Sequence, residues 1–131
     1  MFKKKKTVDV VIVEDNEQNR LLLRDLIEIN GFSSLCFKTG EDAVDYFKNN
    51  IAKVILLDIF LPKMDGFQVL SYIRADNQLK HTKVAAVTAL AVEEQINKIK
   101  KVGFDAYFVK PLNMGVLVKH VAKWCENSYE K

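Results

Sequence analysis

Short apolar runs alternate along this chain with longer segments in which apolar residues recur every three or four positions. The runs predict strands at about 8–13, 33–37, 53–58, 84–88 and 105–109, and the periodic segments predict helices at about 16–30, 40–49, 65–76, 91–101 and 113–127. Apolar strands separated by amphipathic helices are typical of a parallel sheet covered on both faces. We therefore expect an α/β fold, a doubly wound five-stranded parallel sheet with helices on both faces.

The same spacing predicts which helical side chains face the sheet. The inward apolar sets are Leu22, Leu26 and Ile29; Ala43, Val44 and Phe47; Phe67, Leu70 and Ile73; Val92, Ile96 and Ile99; and Met114, Leu117, Val118 and Val121. Thr39 suits the N-cap of the second helix. Gly31 and Gly103 suit the left-handed ends of the first and fourth helices.

Length and charge favour one domain without a nucleic-acid surface. The 131 residues are 49% hydrophobic, which is enough for a single domain with a full core. The formal net charge is +3, but four positive charges lie at Lys3 to Lys6, so the remainder carries one net negative charge. We expect residues 1–7 to be a disordered basic tail and residues 8–127 to be the folded domain.

Membrane and redox signals are weak in this sequence. No apolar stretch approaches the roughly 18 residues of a membrane span, and no apolar segment follows the N-terminal lysines as a signal peptide requires. These patterns predict a cytoplasmic protein. Cys36 and Cys125 lie at a spacing that matches no metal or redox motif, so we expect both to be reduced packing residues.

Polar residues end four of the five predicted strands. Glu14 and Asp15 follow the first strand, Asp58 ends the third, Thr88 ends the fourth and Lys110 follows the fifth. Because the carboxyl ends of parallel strands share one edge of the sheet, where ligands bind, these five side chains should converge. The sequence therefore predicts one functional site at that edge.

The chemistry of these groups favours a metal ion and a phosphoryl group. Three clustered carboxylates repel one another without a cation, and Mg²⁺ prefers carboxylate and water oxygens. Thr88 offers a hydroxyl donor and Lys110 a point charge, which together can hold phosphoryl oxygens. A carboxylate that faces a phosphoryl group can attack it to form an acyl phosphate, and we assign that role to Asp58.

Four motifs in this order resemble the receiver domain of bacterial two-component response regulators. They are Val13-Glu14-Asp15-Asn16, the stretch Leu-Asp-Ile-Phe-Leu-Pro-Lys-Met-Asp-Gly at 57–66, Val87-Thr88-Ala89 and Lys110-Pro111. The resemblance covers the chain from Val8 to about Trp124, and all four motifs in sequence make it highly specific. Val-Glu-Asp-Asn with Asn19 is similar more particularly to receivers of hybrid kinases and of stand-alone cell-cycle regulators.

The resemblance implies a flavodoxin-like strand order of 2-1-3-4-5 and a phosphoacceptor function. A sensor histidine kinase or a histidine phosphotransfer protein would pass its phosphoryl group to Asp58. Asp15, Asp58 and the main-chain carbonyl of Phe60 would ligate Mg²⁺, with Glu14 acting largely through a metal-bound water. Thr88 and Lys110 would hold the phosphoryl oxygens. Such a protein is not an independent enzyme, because it supports only its own phosphorylation and dephosphorylation.

The resemblance also implies a conformational switch that a downstream protein reads. Thr88 and Tyr107 occupy the positions of the switch residues, and the responding surface would be the region of about 91–127. Phe60 and Leu90 are apolar two residues beyond Asp58 and Thr88, where some fast-hydrolysing relatives have polar residues. This difference predicts slow loss of the phosphoryl group.

Three other functions share parts of this pattern. A phosphohydrolase of the haloacid dehalogenase type needs a second Asp two residues after its nucleophile, where this chain has Phe60. A flavodoxin-like FMN binder needs a Ser/Thr/Gly-rich loop after the first strand, where this chain has Glu14-Asp15-Asn16-Glu17. A pseudo-receiver would act as a docking module without phosphorylation, and intact Asp58, Thr88 and Lys110 argue against it. A phosphorylation assay separates the pseudo-receiver from a phosphoacceptor.

Overall fold

The computed structural model describes residues 6–127, in which five strands alternate with five helices. The strands are β1 (Lys6–Val13), β2 (Ser34–Phe37), β3 (Asn50–Asp58), β4 (Lys83–Thr88) and β5 (Ala106–Val109). The helices are α1 (Glu17–Ile29), α2 (Gly40–Phe47), α3 (Gly66–Ala75), α4 (Glu93–Val102) and α5 (Met114–Asn127).

All neighbouring strands of the sheet pair in parallel, in the order β2-β1-β3-β4-β5. The predicted fold class is therefore confirmed. The inner strands β1 and β3 are buried over Val10–Val13 and Val54–Leu57 because helices cover both faces of the sheet. Their polar ends, Glu14 and Asp58, are consequently delivered to the same edge.

Two apolar layers hold the helices against the sheet. Phe47 of α2 and Ile73 of α3 belong to the cluster on one face, and Ile27 of α1 and Leu117 of α5 belong to the cluster on the other. Helix α4 is held less extensively, since Ile99 is its one buried residue among the described positions. This helix is attached to the core through a small cluster of its own.

The predicted inward face of α1 is correct at Leu26, which packs against the core, and wrong at Leu22 and Ile29. The structure buries Leu23 and Ile27, whereas Leu22 is 53% exposed and Ile29 is 84% exposed. Each residue turns the helix by about 100°, so a run of three leucines permits two faces, and contact with the sheet selects one of them. Val92 is also not inward, because it is the N-cap of α4 and is 54% exposed.

Local signals at the helix ends match the sequence-based predictions. Thr39 accepts a hydrogen bond from the Asp42 amide at 3.0 Å and caps α2. Gly31 and Gly103 have φ of 90° and 110°, in the left-handed region. Asp65 caps α3 in a reciprocal capping box with Gln68, which fixes where the helix begins after the site loop.

The chain's first strand begins earlier than predicted. Lys6 and Thr7, which the sequence pattern assigns to the tail, pair with Asn50 and Ile51 in β3 and extend β1. The rest of the predicted tail lies outside the described residues. No helix between residues 6 and 127 has the length and apolarity to cross a membrane.

Neither cysteine of the described chain is in a disulfide, as predicted. Cys125 is buried in the cluster between α1, α5 and the sheet, and Cys36 packs against that cluster. Burial raises the pKa of the Cys125 thiol to about 11. The thiolate is therefore disfavoured, consistent with a packing role.

Gly66 is required where α3 approaches the end of β3. A Cβ atom at Gly66 would lie 2.7 Å from the carbonyl oxygen of Asp58 and 2.8 Å from the Cα of Ile59. We expect Gly66→Ala to lower the free energy of unfolding by about 1–3 kcal/mol, because the backbone beside Asp58 must shift. Urea unfolding measures this loss.

Gly115→Ala is the matched control for this prediction. The added carbon would lie 3.6 Å from the Asn113 side-chain oxygen, an ordinary contact, and alanine is the better helix former. Its stability should be unchanged or higher. Equal losses in the two variants would contradict the steric role of Gly66.

Candidate functional site

Glu14 lies directly after β1 and is buried, with 1% of its surface exposed. One carboxylate oxygen, Oε1, accepts a hydrogen bond from Lys110 Nζ at 2.8 Å. The other, Oε2, accepts from the Asn16 amide at 3.2 Å. Both carboxylate oxygens of Glu14 are thus held by hydrogen bonds, one from the Lys110 side chain and one from the backbone of the motif that follows β1.

Asp58 is the last residue of β3 and is 5% exposed. Its Oδ1 accepts a hydrogen bond from the Phe60 amide at 3.0 Å, and its Oδ2 lies 3.5 Å from Lys110 Nζ. One oxygen is therefore held by the following loop while the other faces the ammonium group. This arrangement orients a carboxylate at the sheet edge.

Glu14, Asp15 and Asp58 form an acidic cluster. One oxygen from each of the three carboxylates lies within 4.8 Å of the others. Asp15 is exposed, whereas the other two are buried. This set of hard oxygen donors, with one open side, fits a magnesium ion that keeps part of its water shell.

Lys110 supplies the positive charge that the acidic cluster faces. Burial lowers the pKa of Lys110, but the hydrogen bond to Glu14 and the charge of Asp58 outweigh burial and raise it above its usual value. Burial raises the pKa of Glu14, the Lys110 hydrogen bond lowers it, and the negative charge of Asp58 raises it further, with a net increase. Lys110 therefore offsets only part of the negative charge, which leaves room for a cation.

Thr88 ends β4 and is completely buried. Its hydroxyl oxygen accepts from the Leu90 amide at 3.1 Å and lies 3.3 Å from the Leu90 carbonyl, to which it can donate. The Thr88 carbonyl also accepts from the Lys110 amide at 2.8 Å, so the two chain segments are tied together. The hydroxyl is thus close to the site but is turned toward its own loop.

The remaining predicted residues have exposed side chains. Phe60 is 46% exposed and Leu90 is 47% exposed, on the loops that follow β3 and β4. Tyr107 on β5 is 38% exposed, with Lys100 Nζ 5.9 Å from its ring centroid. A surface cavity of about 340 Å³ beside this ring is lined by residues that include Ile99 and Phe104.

The structure also shows a site residue that sequence reasoning missed. Arg20 donates from Nη1 to the main-chain carbonyls of Glu14 at 3.0 Å and Asp15 at 3.3 Å. It therefore braces the acidic turn through the backbone and leaves the carboxylates available. A basic residue in the first turn after two acids was visible in the sequence, but its contact with carbonyls was not.

Comparison with known proteins yields consistent matches. A family model described as the response regulator receiver domain matches residues 10–122. The polar-differentiation response regulator DivK of Brucella ovis is 36% identical over 118 residues, which cover 90% of this chain and 96% of the relative.

Solved structures share the fold. The receiver domain of a signal transduction histidine kinase from Syntrophus aciditrophicus has a TM-score of 0.87 at 22% identity, covering 95% of this chain and 94% of that one. The receiver domain of a sensor histidine kinase from Pseudomonas aeruginosa, solved with a magnesium ion coordinated in its active-site cleft, has a TM-score of 0.83 at 24% identity, covering 92% of this chain and 98% of that one.

Proposed function

We infer the function of this protein from its family, because the chain belongs to the response regulator receiver domains. It is a domain of two-component signalling. We propose that Asp58 is the phosphoacceptor and that a histidine of a sensor kinase or phosphotransfer protein is the donor. The observation that carries this proposal is the buried Asp58 carboxylate, held between Lys110 and two further acids.

The transfer is a simple displacement at phosphorus. A carboxylate oxygen of Asp58 forms the new O–P bond while the N–P bond to the donor histidine breaks, and the imidazole leaves with that electron pair. The positive charge of Lys110 attracts the negatively charged phosphoryl oxygens to the site. Thr88 reaches those oxygens once its hydroxyl turns away from Leu90. Glu14 keeps Lys110 in place through the 2.8 Å hydrogen bond.

The acidic cluster fits Mg²⁺ as the cofactor. Asp15 and Asp58 would hold the ion directly with the Phe60 carbonyl, and Glu14 would act largely through a bound water. When bound, the ion neutralises the carboxylates and the incoming phosphoryl oxygens. The set contains no histidine or cysteine, which favours a hard cation over zinc.

The proposed reaction is confined to the protein's own phosphorylation and dephosphorylation. A phosphohydrolase of the competing class needs a second acid two residues after the nucleophile, and Phe60 offers none. Incubation with acetyl phosphate, with and without Mg²⁺, followed by intact-mass measurement tests the proposal. A single Mg²⁺-dependent phosphoryl adduct supports a phosphoacceptor, and its absence favours a docking module that works without phosphorylation.

We propose that Thr88 and Tyr107 couple the site to a partner surface. A phosphoryl group adds about −1.5 to −2 charge and new acceptor oxygens. These should draw the Thr88 hydroxyl from Leu90, vacating space that the Tyr107 ring can fill from its half-exposed position beside the surface cavity. A downstream protein would then read the region of about 91–127 in its altered state.

Beryllofluoride with Mg²⁺, a mimic of the phosphoryl group, is expected to shift the NMR resonances of this region. The amides of Thr88 and Leu90 and the ring of Tyr107 should shift most, because their contacts change. Asp58→Asn should show none of these shifts. Parent shifts that avoid residues 91–127 would contradict the switch.

The phosphoryl group is expected to be lost slowly because apolar residues flank it. Hydrolysis needs a water held in line with phosphorus, and Phe60 and Leu90 can give that water no side-chain hydrogen bond. Phe60→Asn combined with Leu90→Glu should hydrolyse about tenfold faster, which needs about 1.4 kcal/mol of transition-state stabilisation. Decay of the adduct at saturating Mg²⁺ measures the rate.

Phe60→Leu combined with Leu90→Met is the control for this comparison, since it changes side-chain shape without adding polarity. Its decay should match that of the parent. Equal acceleration in both double variants would mean that loop geometry sets the lifetime.

A further inference from the structure

A second cation of the site region, Lys98 on α4, lies outside the machinery described above. Its Nζ lies 4.2 Å from the centroid of the Phe67 ring, within the range of a cation–π contact. Phe67 in turn packs edge-on against Phe104, with centroids 5.9 Å apart. The ammonium group is therefore held at a defined place by the aromatic pair.

Lys98 lines a cleft that begins at the acidic cluster. The cleft has a volume of about 550 Å³ and is open to solvent, and its lining includes two acids, Asp15 and Asp65, the rings of Phe60 and Phe67, and Gln95 and Lys98. One of the three clustered carboxylates, Asp15, and the positive charge of Lys98 therefore line the same depression. A small phosphodonor fits within this volume, and Ile59 and Phe60, the residues that follow Asp58, line it.

Within residues 6–127, the ammonium group of Lys98 is not paired with a carboxylate. Among the ion pairs of residues 6–127, none includes Lys98, whereas Lys110 pairs with both Glu14 and Asp58. An aromatic face leaves the hydrogen-bond donors of an ammonium group available to a ligand. Lys98 is consequently the cation of the cleft that an incoming anion can meet.

A phosphodonor needs such a charge. Acyl phosphates are dianions near neutral pH, whereas a bound Mg²⁺ and Lys110 together only balance the three carboxylates of the site, so the charge of the donor itself is left without a partner. We propose that Lys98 recruits small anionic phosphodonors of the acyl phosphate class and holds their oxygens in the cleft during transfer to Asp58. This inference rests on the proposed phosphoacceptor function and adds a specificity-determining residue to it.

The test compares Lys98→Met, Lys98→Arg and Lys101→Met with the parent. Methionine keeps an unbranched stem over Phe67 without the charge, arginine keeps the charge, and Lys101 is an exposed lysine of α4 that does not line the cleft. The second-order rate of Asp58 phosphorylation is measured with acetyl phosphate and with phosphoramidate, which carries one negative charge fewer. Both series are run at low and high ionic strength, together with Mg²⁺ titrations.

We expect Lys98→Met to lose about fivefold in rate with acetyl phosphate at low ionic strength, with the difference shrinking as salt screens the charge. The loss with phosphoramidate should be smaller. Lys98→Arg should restore the rate, Lys101→Met should match the parent, and Mg²⁺ affinity should be equal in all four proteins.

Equal rates for the parent and Lys98→Met would overturn the inference while leaving the phosphoacceptor function intact. An equal loss with both donors at every ionic strength would also overturn it, because it would indicate lost packing on Phe67. A parent that neither donor phosphorylates would overturn the phosphoacceptor function and this inference with it.

Discussion

Asp58→Asn is expected to abolish phosphoryl incorporation from acetyl phosphate or from a kinase. The substitution replaces the carboxylate that we propose as the nucleophile with an amide of the same shape, whose carbonyl oxygen can still accept from the Phe60 amide. The fold should therefore survive while the chemistry is lost. Intact-mass measurement after incubation with donor and Mg²⁺ should find only the unmodified mass.

Asp65→Asn is the matched control for this loss. Asp65 lies between β3 and α3 and caps α3, and asparagine is an equally good N-cap. This variant should still gain one phosphoryl group. A phosphoryl adduct on Asp58→Asn under the same conditions would place the acceptor on another residue.

The adduct of the parent should also be labile in base, since an acyl phosphate is hydrolysed there and a phosphoserine or phosphothreonine ester is more resistant. Loss of the added mass on brief alkaline treatment would identify a carboxylate acceptor. A base-resistant adduct would instead point to a hydroxyl such as Thr88, the other candidate oxygen at this sheet edge. The mass measurement on Asp58→Asn thus locates the acceptor residue, and the alkaline treatment identifies its chemical class.

The convergence of the site was predictable because it depends on topology. Parallel strands place all their carboxyl ends on one edge, so polar residues that end apolar runs meet there whatever the loops do. Glu14, Asp58 and Lys110 are accordingly in direct contact. The strand order itself came from resemblance, because periodicity does not specify which strands are neighbours.

Details that depend on rotation or on loop conformation were not predictable. Helix α1 buries Leu23 and Ile27 where the pattern predicts Leu22 and Ile29, since the leucines at 21–23 present apolar groups on more than one side of the helix. The Thr88 hydroxyl bonds to Leu90 because of how the loop after β4 folds back. Arg20 reaches two backbone carbonyls, a contact with no signature in residue type.

Asp15→Ala is expected to remove Mg²⁺ binding and phosphorylation together. Among the three acids, Glu14 is committed to Lys110 and Asn16, and Asp58 is held by Phe60 and faces Lys110. Asp15 is the exposed member, and its contact with Arg20 uses only the main-chain carbonyl. Its carboxylate is therefore the one most available to the ion.

The expected loss of Mg²⁺ affinity is at least about tenfold. Removing a group that only hydrogen-bonds to a metal ligand already lowers metal affinity by about that factor, and Asp15 is proposed as a direct ligand. A Mg²⁺ titration, monitored by calorimetry or by NMR of the residues beside Asp58, measures this affinity. Glu17→Ala, which removes the acid in the first turn of α1, is the control and should keep Mg²⁺ affinity. A loss of equal size in the control would indicate a general effect of surface charge.

Thermal unfolding separates the metal role from a helix-capping role. Asn16 is the N-cap of α1 and accepts the Asn19 amide, so the Asp15 side chain is not the cap. Without metal, Asp15→Ala should be as stable as the parent or more stable, since one of three clustered negative charges is gone. Magnesium at ten times the parent's Kd should stabilise the parent by about 1.4 kcal/mol and the variant by much less. An unchanged Mg²⁺ titration in Asp15→Ala, or a large loss of stability in metal-free buffer, would refute the assignment of Asp15 as a magnesium ligand.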